Sequence, residues 1–279
     1  MYQFRFETFT TPCELHLDAS SLSSAQTSVQ AVFENAKRLE RLYSFFRSDS
    51  EVYALNERKS NDIILSDELS GLIRLALFYS DATAGAFDIA TAGTLKFLSK
   101  LSTMSDYHHH KECLVSFASS SHLVLEGNHL RFTNEHTKID LGGLVKEYAV
   151  DQSIFLLQSA GVESALVNFG GDIAAIGTCE DFSWRIGIQD PNDEGKNLME
   201  VDLDNVSLCS SGHSKRYTQI GSEKISHIVM TSENQKRFSQ VSIIAPTTVD
   251  AGVWSTALLI NPTLCIPEHI KVVSTYAYV

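Results

Sequence analysis

Residues 138–176 read KIDLGGLVKEYAVDQSIFLLQSAGVESALVNFGGDIAAI, and this stretch decides the fold class. Residues 138–140 are predicted to end a strand, the glycines at 142–143 to turn the chain, and the next residues to form a helix. That helix is expected to end at Gly161, because glycine readily adopts the left-handed conformation that follows many helices.

A second strand pair is predicted further along the same stretch. The apolar run at 165–167 is typical of a buried strand, and the glycines at 170–171 indicate a turn into another strand at 173–176. More short strands are expected after it, at about 184–188, 206–209, 225–229, 241–245 and 270–279, with a helix at about 251–260. Strands and helices are mixed without alternating one for one, which favours an α+β fold over a doubly wound sheet.

The N-terminal half adds strands and two long helices. Alternating apolar residues predict a strand pair over about 4–17. Apolar residues at steps of three and four, ending at Phe46, predict an amphipathic helix over 24–46. A second helix is expected from Ser66, with Asp67 and Glu68 suiting its first turn.

Residues 98–122 are polar and are predicted as a solvated loop that holds His108, His109 and His110. No repeat, low-complexity segment or linker divides the chain. We therefore predict a single domain over residues 1–279.

Charge and composition exclude several classes of protein. The 34 acidic and 22 basic residues give a net charge of −12 without a basic run, which argues against nucleic acid or an anionic membrane as the main partner. No stretch approaches the ~20 apolar residues of a membrane span, and the N-terminus has no secretory pattern. Five widely spaced cysteines indicate neither a disulfide framework nor a thiolate zinc site. We expect a cytoplasmic protein.

A predicted strand end, a glycine pair and a helix start meet in the run from Asp140 through Gly142 and Gly143 to Lys146. Backbone N–H groups at a helix N-terminus attract anions, and Lys146 adds a mobile positive charge. This pattern suits a phosphate or pyrophosphate. A tight turn with a solvated lysine gives the same letters, so both interpretations stay open.

Three later segments carry weaker signals. The glycines before Asp172 allow close approach to a flavin or ribose, although a plain β-turn has the same pattern. Residues 209–213 are predicted as a polar turn, and their serines and histidine are not evidence for a nucleophile–base pair. His227 lies in a predicted strand, where a single histidine is more often structural than catalytic.

Residues 246–256 contain a possible metal site. A carboxylate and a hydroxyl one helical turn apart share a face, but Asp250 and Thr256 are six residues apart. They would share a face only if Asp250 precedes the helix. The alternative is a helix N-terminus capped by Thr248 or Asp250.

In order and together, these segments resemble one family, the FAD:protein FMN transferases (ApbE family), over nearly the whole chain. The matching segments are 4–17, 48–56, 85–89, 139–151, 166–177, 184–191, 211–217, 227–228 and 244–258. The resemblance implies an α+β enzyme of two lobes with FAD in the cleft between them and Mg²⁺ on the pyrophosphate. It implies transfer of FMN to a Thr or Ser hydroxyl of an acceptor protein, with release of AMP.

Residue roles follow from the same resemblance. His227 occupies the position of the base that takes the proton from the acceptor hydroxyl. Val145 stands where the family offers a backbone carbonyl to the metal, and Thr256 where it offers a hydroxyl. The positions that match the surroundings of the flavin and its phosphates are Asn56, Asp140, Gly142, Gly143, Lys146, Gly171, Asp172, Ser210 and Ser211.

The chain departs from the family pattern at several positions. The usual Met-Gly-Thr near the N-terminus is Phe9-Thr10-Thr11, and the segment after His227 lacks the usual Asp-Pro and Gly.

The most consequential departures concern the metal. Gly252 stands where the family has its metal-binding Asp, and the usual Lys-Gly is Lys146-Glu147. Asp250 is therefore the predicted replacement carboxylate, with Glu147 as the other candidate, and weak or absent metal binding stays open as an alternative. Both changes also resemble those of a cytoplasmic subgroup of the family.

Three functions stay open at this point. The first is a Mg²⁺-dependent FMN transferase. The second is a flavin-binding protein that kept the fold and lost turnover, which the missing Asp and the altered segment after His227 would favour. The third is an FAD pyrophosphatase that releases FMN and AMP to water, which would follow if the metal persists without an acceptor groove.

Overall fold

The computed structural model describes residues 1–213, 217–220, 223–226 and 238–277. His227 lies outside the described residues, as does the end of the strand predicted over 225–229.

Helices and strands both occur throughout the described residues. The strands are β1 (Tyr2–Thr8), β2 (Thr11–Leu17), β3 (Asp62–Ile64), β4 (Leu123–Glu126), β5 (His129–Phe132), β6 (Ala165–Phe169), β7 (Asp172–Ile176), β8 (Trp184–Asp190), β9 (Asp193–Leu203), β10 (Ser207–Gly212), β11 (Tyr217–Ile220), β12 (Glu223–Ser226), β13 (Phe238–Ala245) and β14 (Lys271–Ala277). The α-helices are α1 (Leu22–Tyr43), α2 (Glu51–Asn56), α3 (Asp67–Ala82), α4 (Ile89–Thr94), α5 (Met104–Leu114), α6 (Val145–Ser159) and α7 (Thr248–Ile260).

Seven of these strands form one sheet in the order β1-β2-β6-β7-β10-β13-β14. Every neighbouring pair in it is antiparallel. A smaller sheet has the order β3-β5-β4, and β8 pairs with β9 in a separate hairpin. Antiparallel pairing with helices interspersed is an α+β arrangement, so the predicted fold class is confirmed.

The two faces of the large sheet are covered by different elements. Side chains alternate between the faces of a strand. In β6, Val167 and Phe169 therefore join the core that α1 and α6 share, whereas Leu166 packs with Trp184 and Leu203 of the β8–β9 hairpin. The same alternation in β7 and β10 decides which polar side chains can face α6 and α7.

Local signals predicted several boundaries well. Ser66 caps α3 by accepting a hydrogen bond from the Leu69 amide, and Leu69, Leu72 and Ile73 are buried as expected. Gly161 has φ +79°, directly after the last turn of α6. The glycine pair at 170–171 joins β6 to β7 in a two-residue hairpin turn.

Two predictions about helices were wrong. Helix α1 ends at Tyr43, and Phe46 lies beyond it with 58% of its surface exposed. The loop predicted over 98–122 contains α5, whose N-cap Thr103 accepts from the Asp106 amide. That helix buries Tyr107 and leaves His108 and His109 exposed, so the histidines are solvated but helical.

The strand predicted to end at 138–140 is also absent from the structure. The backbone of Ile139 is hydrogen-bonded to the side chain of Asn56, and the Asp140 amide donates to the Ile89 carbonyl. These partners take the groups that a neighbouring strand would need.

The first hairpin contains backbone strain. Phe9 and Thr10 connect β1 to β2 with φ of +51° and +55°, a conformation that is unfavourable for a β-branched residue such as threonine. Thr10 is exposed, so its side chain gains little packing in return.

We predict that Thr10→Gly raises the free energy of unfolding by about 1 kcal/mol, because glycine relieves this strain. Urea denaturation followed by circular dichroism measures the change. Thr178→Gly, at an exposed threonine without positive φ, is the matched control and should lower stability. A loss of stability in both variants would show that the turn is unstrained.

Candidate functional site

Helix α6 begins at the glycine turn without a side-chain cap. Its N-cap residue is Leu144, and no side chain bonds to the first turn. The Leu144 and Val145 amides both donate to the Leu141 carbonyl, which fixes the turn in front of the helix. The N-terminal amides after Val145 carry the positive end of the helix dipole, which favours an anion at this position.

Lys146 forms the centre of a buried charged cluster at this helix start. Its ammonium group pairs with the Asp172 carboxylate at the start of β7 and lies 3.6 Å from Glu147 Oε1. Asp172 and Glu147 are 6% and 7% exposed. Two buried carboxylates thus share one ammonium group, and the formal charge of the three side chains is −1.

Glu147 also packs directly against α7 at Gly252. A Cβ built on Gly252 would lie 2.5 Å from Glu147 Cγ and 3.3 Å from Oε1. The Glu147 side chain, its Cγ above all, therefore occupies the space that any side chain at position 252 would need. Among the described residues, no donor reaches Glu147 Oε2, although this oxygen is buried.

A group of hydroxyls follows one turn further along α7. Ser211 Oγ of β10 lies 2.8 Å from Ser255 Oγ and 2.9 Å from Thr256 Oγ1, and the Ser255 hydroxyl donates to the Gly252 carbonyl at 3.0 Å. Thr256 is four residues after Gly252 and shares its helix face. The structure thus connects Thr256 and Ser211 to the Lys146 cluster through Gly252.

Ser210 is directed to the other face of the sheet. It neighbours Ser211 in β10, so the two side chains point in opposite directions. Its hydroxyl lies 2.7 Å from that of Ser242 in β13, and Ile244, two residues further along β13, packs with the β8–β9 hairpin. The prediction of a polar turn over 209–213 was wrong, since strand β10 extends to Gly212.

The loop before α6 positions a second set of predicted residues. Asn56, at the end of α2, donates to the Ile139 carbonyl and accepts from the Ile139 amide, both at 2.8 Å. Asp140 accepts from the Gly142 amide at 2.8 Å and pairs with Lys96 at 2.6 Å. Sequence reasoning missed Lys96, because nothing in the local sequence links it to Asp140.

The two remaining predicted glycines lie in the turns that border these groups. Gly143 completes the turn before α6, with the Phe87 ring 3.6 Å from a built Cβ. Gly171, with φ +99°, directly precedes Asp172.

Both carboxylate oxygens of Asp250 accept hydrogen bonds at the start of α7. It lies in the first turn of the helix, not before it, so it does not share a face with Thr256. Its Oδ1 accepts from the Tyr79 hydroxyl, and its Oδ2 accepts from the hydroxyl of the N-cap Thr247. The Asp250 amide donates back to Thr247, which completes a reciprocal cap.

Asp151, a residue that sequence reasoning did not single out, joins α6 to α7. Its two oxygens accept from the amides of Thr248 and Val249 at 2.7 and 3.0 Å. Burial raises the pKa of its carboxyl, and these two hydrogen bonds oppose that rise. Helix α7 therefore begins on a carboxylate held by α6.

The pKa of the Cys209 thiol is shifted by burial and by the charged cluster nearby. Burial and the nearby Glu147 carboxylate raise its pKa well above the ordinary value. Cys209 is thus a neutral thiol between β10 and α7, and it is not a nucleophile at neutral pH.

The possible metal ligands between α6 and α7 are mainly oxygen atoms, but few of these oxygens belong to carboxylates. The described residues contain no group of three or more His, Cys, Asp or Glu side chains placed to hold a metal. A hard divalent cation such as Mg²⁺ needs only one or two protein carboxylates when substrate phosphates and water complete its shell. Carboxylate and hydroxyl oxygens of the kind that such a cation prefers lie beside α6 and α7.

Comparison with known proteins decides the family. A model described as the ApbE family matches residues 9–274. The chain belongs to the ApbE family. Two similar proteins are each named FAD:protein FMN transferase. The one from Treponema pallidum is 25% identical over 268 residues, which cover 85% of this chain and 72% of that protein. The one from Escherichia coli K12 is 24% identical over 236 residues, which cover 79% and 67%.

Solved structures of this family share the fold. The ApbE protein of Thermotoga maritima superposes with a TM-score of 0.84 at 24% identity, over 93% of this chain and 86% of that one. The flavin transferase ApbE of Vibrio cholerae gives a TM-score of 0.78 at 22% identity, over 93% and 87%. Within the described residues, no helix has the length and apolarity needed to cross a bilayer.

We predict that Asn56→Ala lowers the free energy of unfolding by about 2–4 kcal/mol, because it leaves both polar groups of the Ile139 backbone without partners. Urea denaturation measures the loss. Asn61→Ala, at an exposed asparagine nearby, should change stability by less than about 0.5 kcal/mol. Equal effects of the two substitutions would contradict the assigned role of Asn56 in holding this loop.

Proposed function

We propose that this protein is a Mg²⁺-dependent FAD:protein FMN transferase that moves FMN from FAD to a Thr or Ser hydroxyl of an acceptor protein. The observation that carries the proposal is the cluster of Lys146, Asp172 and Glu147 at the uncapped start of α6. It lies in a chain that belongs to the ApbE family and resembles proteins named for this activity.

The helix start suits the pyrophosphate of FAD. Lys146 is held beside this helix end by Asp172, and it can exchange part of that ion pair for a phosphate oxygen. The Gly142-Gly143 turn adds backbone close to the same place. A protein of net charge −12 needs such a local positive source to bind an anionic dinucleotide.

The proposed reaction exchanges one phosphorus–oxygen bond for another. The acceptor hydroxyl oxygen bonds to the phosphorus of the FMN half while the bond from that phosphorus to the bridging oxygen breaks. AMP leaves with the bridging oxygen, and the hydroxyl proton passes to a base. His227 is our proposed base, on the family resemblance, and it lies outside the described residues.

The residues near α6 and α7 fit a divalent cation. Glu147 Oε2 is buried and reached by no described donor, and the Thr256 hydroxyl lies on the α7 face that Glu147 contacts. Val145 is the first residue of α6 and would contribute its carbonyl. When bound, Mg²⁺ supplies positive charge that stabilises the negative charge developing on the pyrophosphate.

The remaining predicted residues would support FAD in different ways. Asn56 and Asp140 hold the loop that leads into α6, and Ser211 holds the hydroxyl of Thr256. We propose that these residues act by holding other groups in place around FAD. We further propose that FAD lies in a cleft between two lobes of one domain over residues 1–279. We further propose that the protein acts in the cytoplasm, on an acceptor available there.

The activity is tested by incubating purified protein with FAD and Mg²⁺, with and without an acceptor domain from a family relative. We expect FMN fluorescence on the acceptor after denaturing electrophoresis, one AMP released per FMN bound, and loss of both when EDTA removes the metal. His227→Ala should retain FAD binding and lose transfer.

Two other outcomes would contradict the proposal. Free FMN and AMP produced independently of the acceptor would identify an FAD pyrophosphatase. Unchanged FAD retained by the protein would identify a flavin-binding protein without turnover.

Lys146→Ala should weaken FAD binding by about 10- to 100-fold, because it removes a charge-assisted contact to phosphate. Quenching of FAD fluorescence measures the dissociation constant. Lys196→Ala removes an exposed lysine that pairs with Asp193 on the β8–β9 hairpin and should leave the constant unchanged. An unaltered constant in Lys146→Ala would show that the pyrophosphate binds elsewhere.

A further inference from the structure

We infer that Glu147 of α6 supplies the carboxylate ligand of the divalent cation, and that Gly252 of α7 is the residue that makes room for it. This inference rests on the proposed function for the presence of a cation, and it assigns the ligand to this chain's own residues.

The first argument is steric. A Cβ at position 252 would lie 2.5 Å from Glu147 Cγ, a distance that real Cβ contacts essentially never show. No φ requirement explains the glycine, since Gly252 lies inside a regular helix and is absent from the residues with positive φ. Glycine costs helix stability relative to alanine, so its place in α7 needs a packing reason. The Glu147 side chain is that reason.

The second argument is the burial of the Glu147 carboxylate and its lack of hydrogen-bond donors. Glu147 is 93% buried, given its 7% exposure, and no described donor reaches its Oε2. A buried carboxylate oxygen without a hydrogen-bond donor is costly. Lys146 lies 3.6 Å from Oε1, but the Lys146 ammonium also pairs with Asp172. The formal charge of the cluster is therefore negative, which favours a bound cation.

The third argument is the chemistry of the neighbours. The face of α7 that Glu147 meets continues one turn later to Thr256, whose hydroxyl is held by Ser211 at 2.9 Å. Carboxylate, hydroxyl and backbone carbonyl oxygens are donors that hard cations such as Mg²⁺ and Mn²⁺ prefer over softer metals.

The competing carboxylate, Asp250, has different surroundings. Its two oxygens accept hydrogen bonds from the hydroxyls of Tyr79 and Thr247. Asp250 lies in the first turn of α7, on a different helix face from Thr256. Recruitment of Asp250 to a cation would compete with these two hydrogen bonds. The structure therefore favours Glu147 as the ligand.

The test is Mn²⁺ binding measured by electron paramagnetic resonance, with FAD held at a saturating concentration. We expect Glu147→Gln, which keeps the side-chain shape, to weaken Mn²⁺ binding by at least about tenfold. Glu14→Gln, the same change at an ion-paired residue on β2, should leave it unaltered. Circular dichroism checks that each variant is folded.

The double variant Glu147→Gly with Gly252→Asp places the carboxylate on α7 instead of α6 and should regain Mn²⁺ affinity lost in Glu147→Gln. Gly252→Asp alone should be destabilised, because its side chain meets Glu147. If the double variant fails to fold, Glu147→Gln still decides the question.

The inference is overturned if Glu147→Gln binds Mn²⁺ within about threefold of the unaltered protein, or if Asp250→Asn shows the loss instead. It is also overturned if the unaltered protein binds no Mn²⁺ with FAD present. Because the readout is metal affinity, it is independent of FMN transfer. If the unaltered protein transfers FMN and the Glu147→Gln variant still binds Mn²⁺, Glu147 is not the ligand, and the proposed function stands.

Discussion

The contact between Glu147 and Gly252 is the constraint on which the rest of the site depends. It lets α6 and α7 approach until the Glu147 side chain fills the gap between them. Asp151 fixes the same two helices one turn later by capping α7. With both contacts in place, the Lys146 ammonium, the Asp172 carboxylate and the hydroxyl of Thr256 are presented on one side of the large sheet.

The alternation of strand side chains completes this arrangement. Asp172 and Ser211 come from two neighbouring strands, β7 and β10, and both point to the helices. Ser210 differs from Ser211 by one position and is directed to the opposite face. One residue of register therefore separates a side chain on the helix face of the sheet from one on the opposite face.

The electrostatics of the site follow from burial. The protein carries a net charge of −12, so its overall field opposes an anionic ligand. Positive potential must come from Lys146, from the uncapped end of α6 and, on our proposal, from a divalent cation. Because two carboxylates surround one lysine, the cluster without a cation is itself negative. FAD and the cation are thus expected to bind together.

Some of this organisation follows from local sequence and some does not. The cap at Ser66 and the glycine after α6 were predictable because their partners lie within a few residues. The backbone around Ile139 was not, because its partner is a side chain 83 residues away. Helix α5 was missed because it buries one residue, Tyr107, and so lacks an apolar stripe.

The site shows the same division. Motifs along the chain singled out Lys146, Asp172 and Thr256, but the pairing of Glu147 with Gly252 joins two helices and needs the fold. The sequence therefore predicted Asp250 as the replacement carboxylate and left Glu147 as the alternative. Their surroundings in the structure distinguish them.

The most direct measurement is a crystal structure of the protein with FAD and Mn²⁺, in which anomalous scattering locates the metal. Our account predicts a peak about 2.1 Å from a Glu147 carboxylate oxygen, on the α7 face that carries Thr256. A peak coordinated by Asp250, or one that touches the FAD phosphates without Glu147, would contradict it.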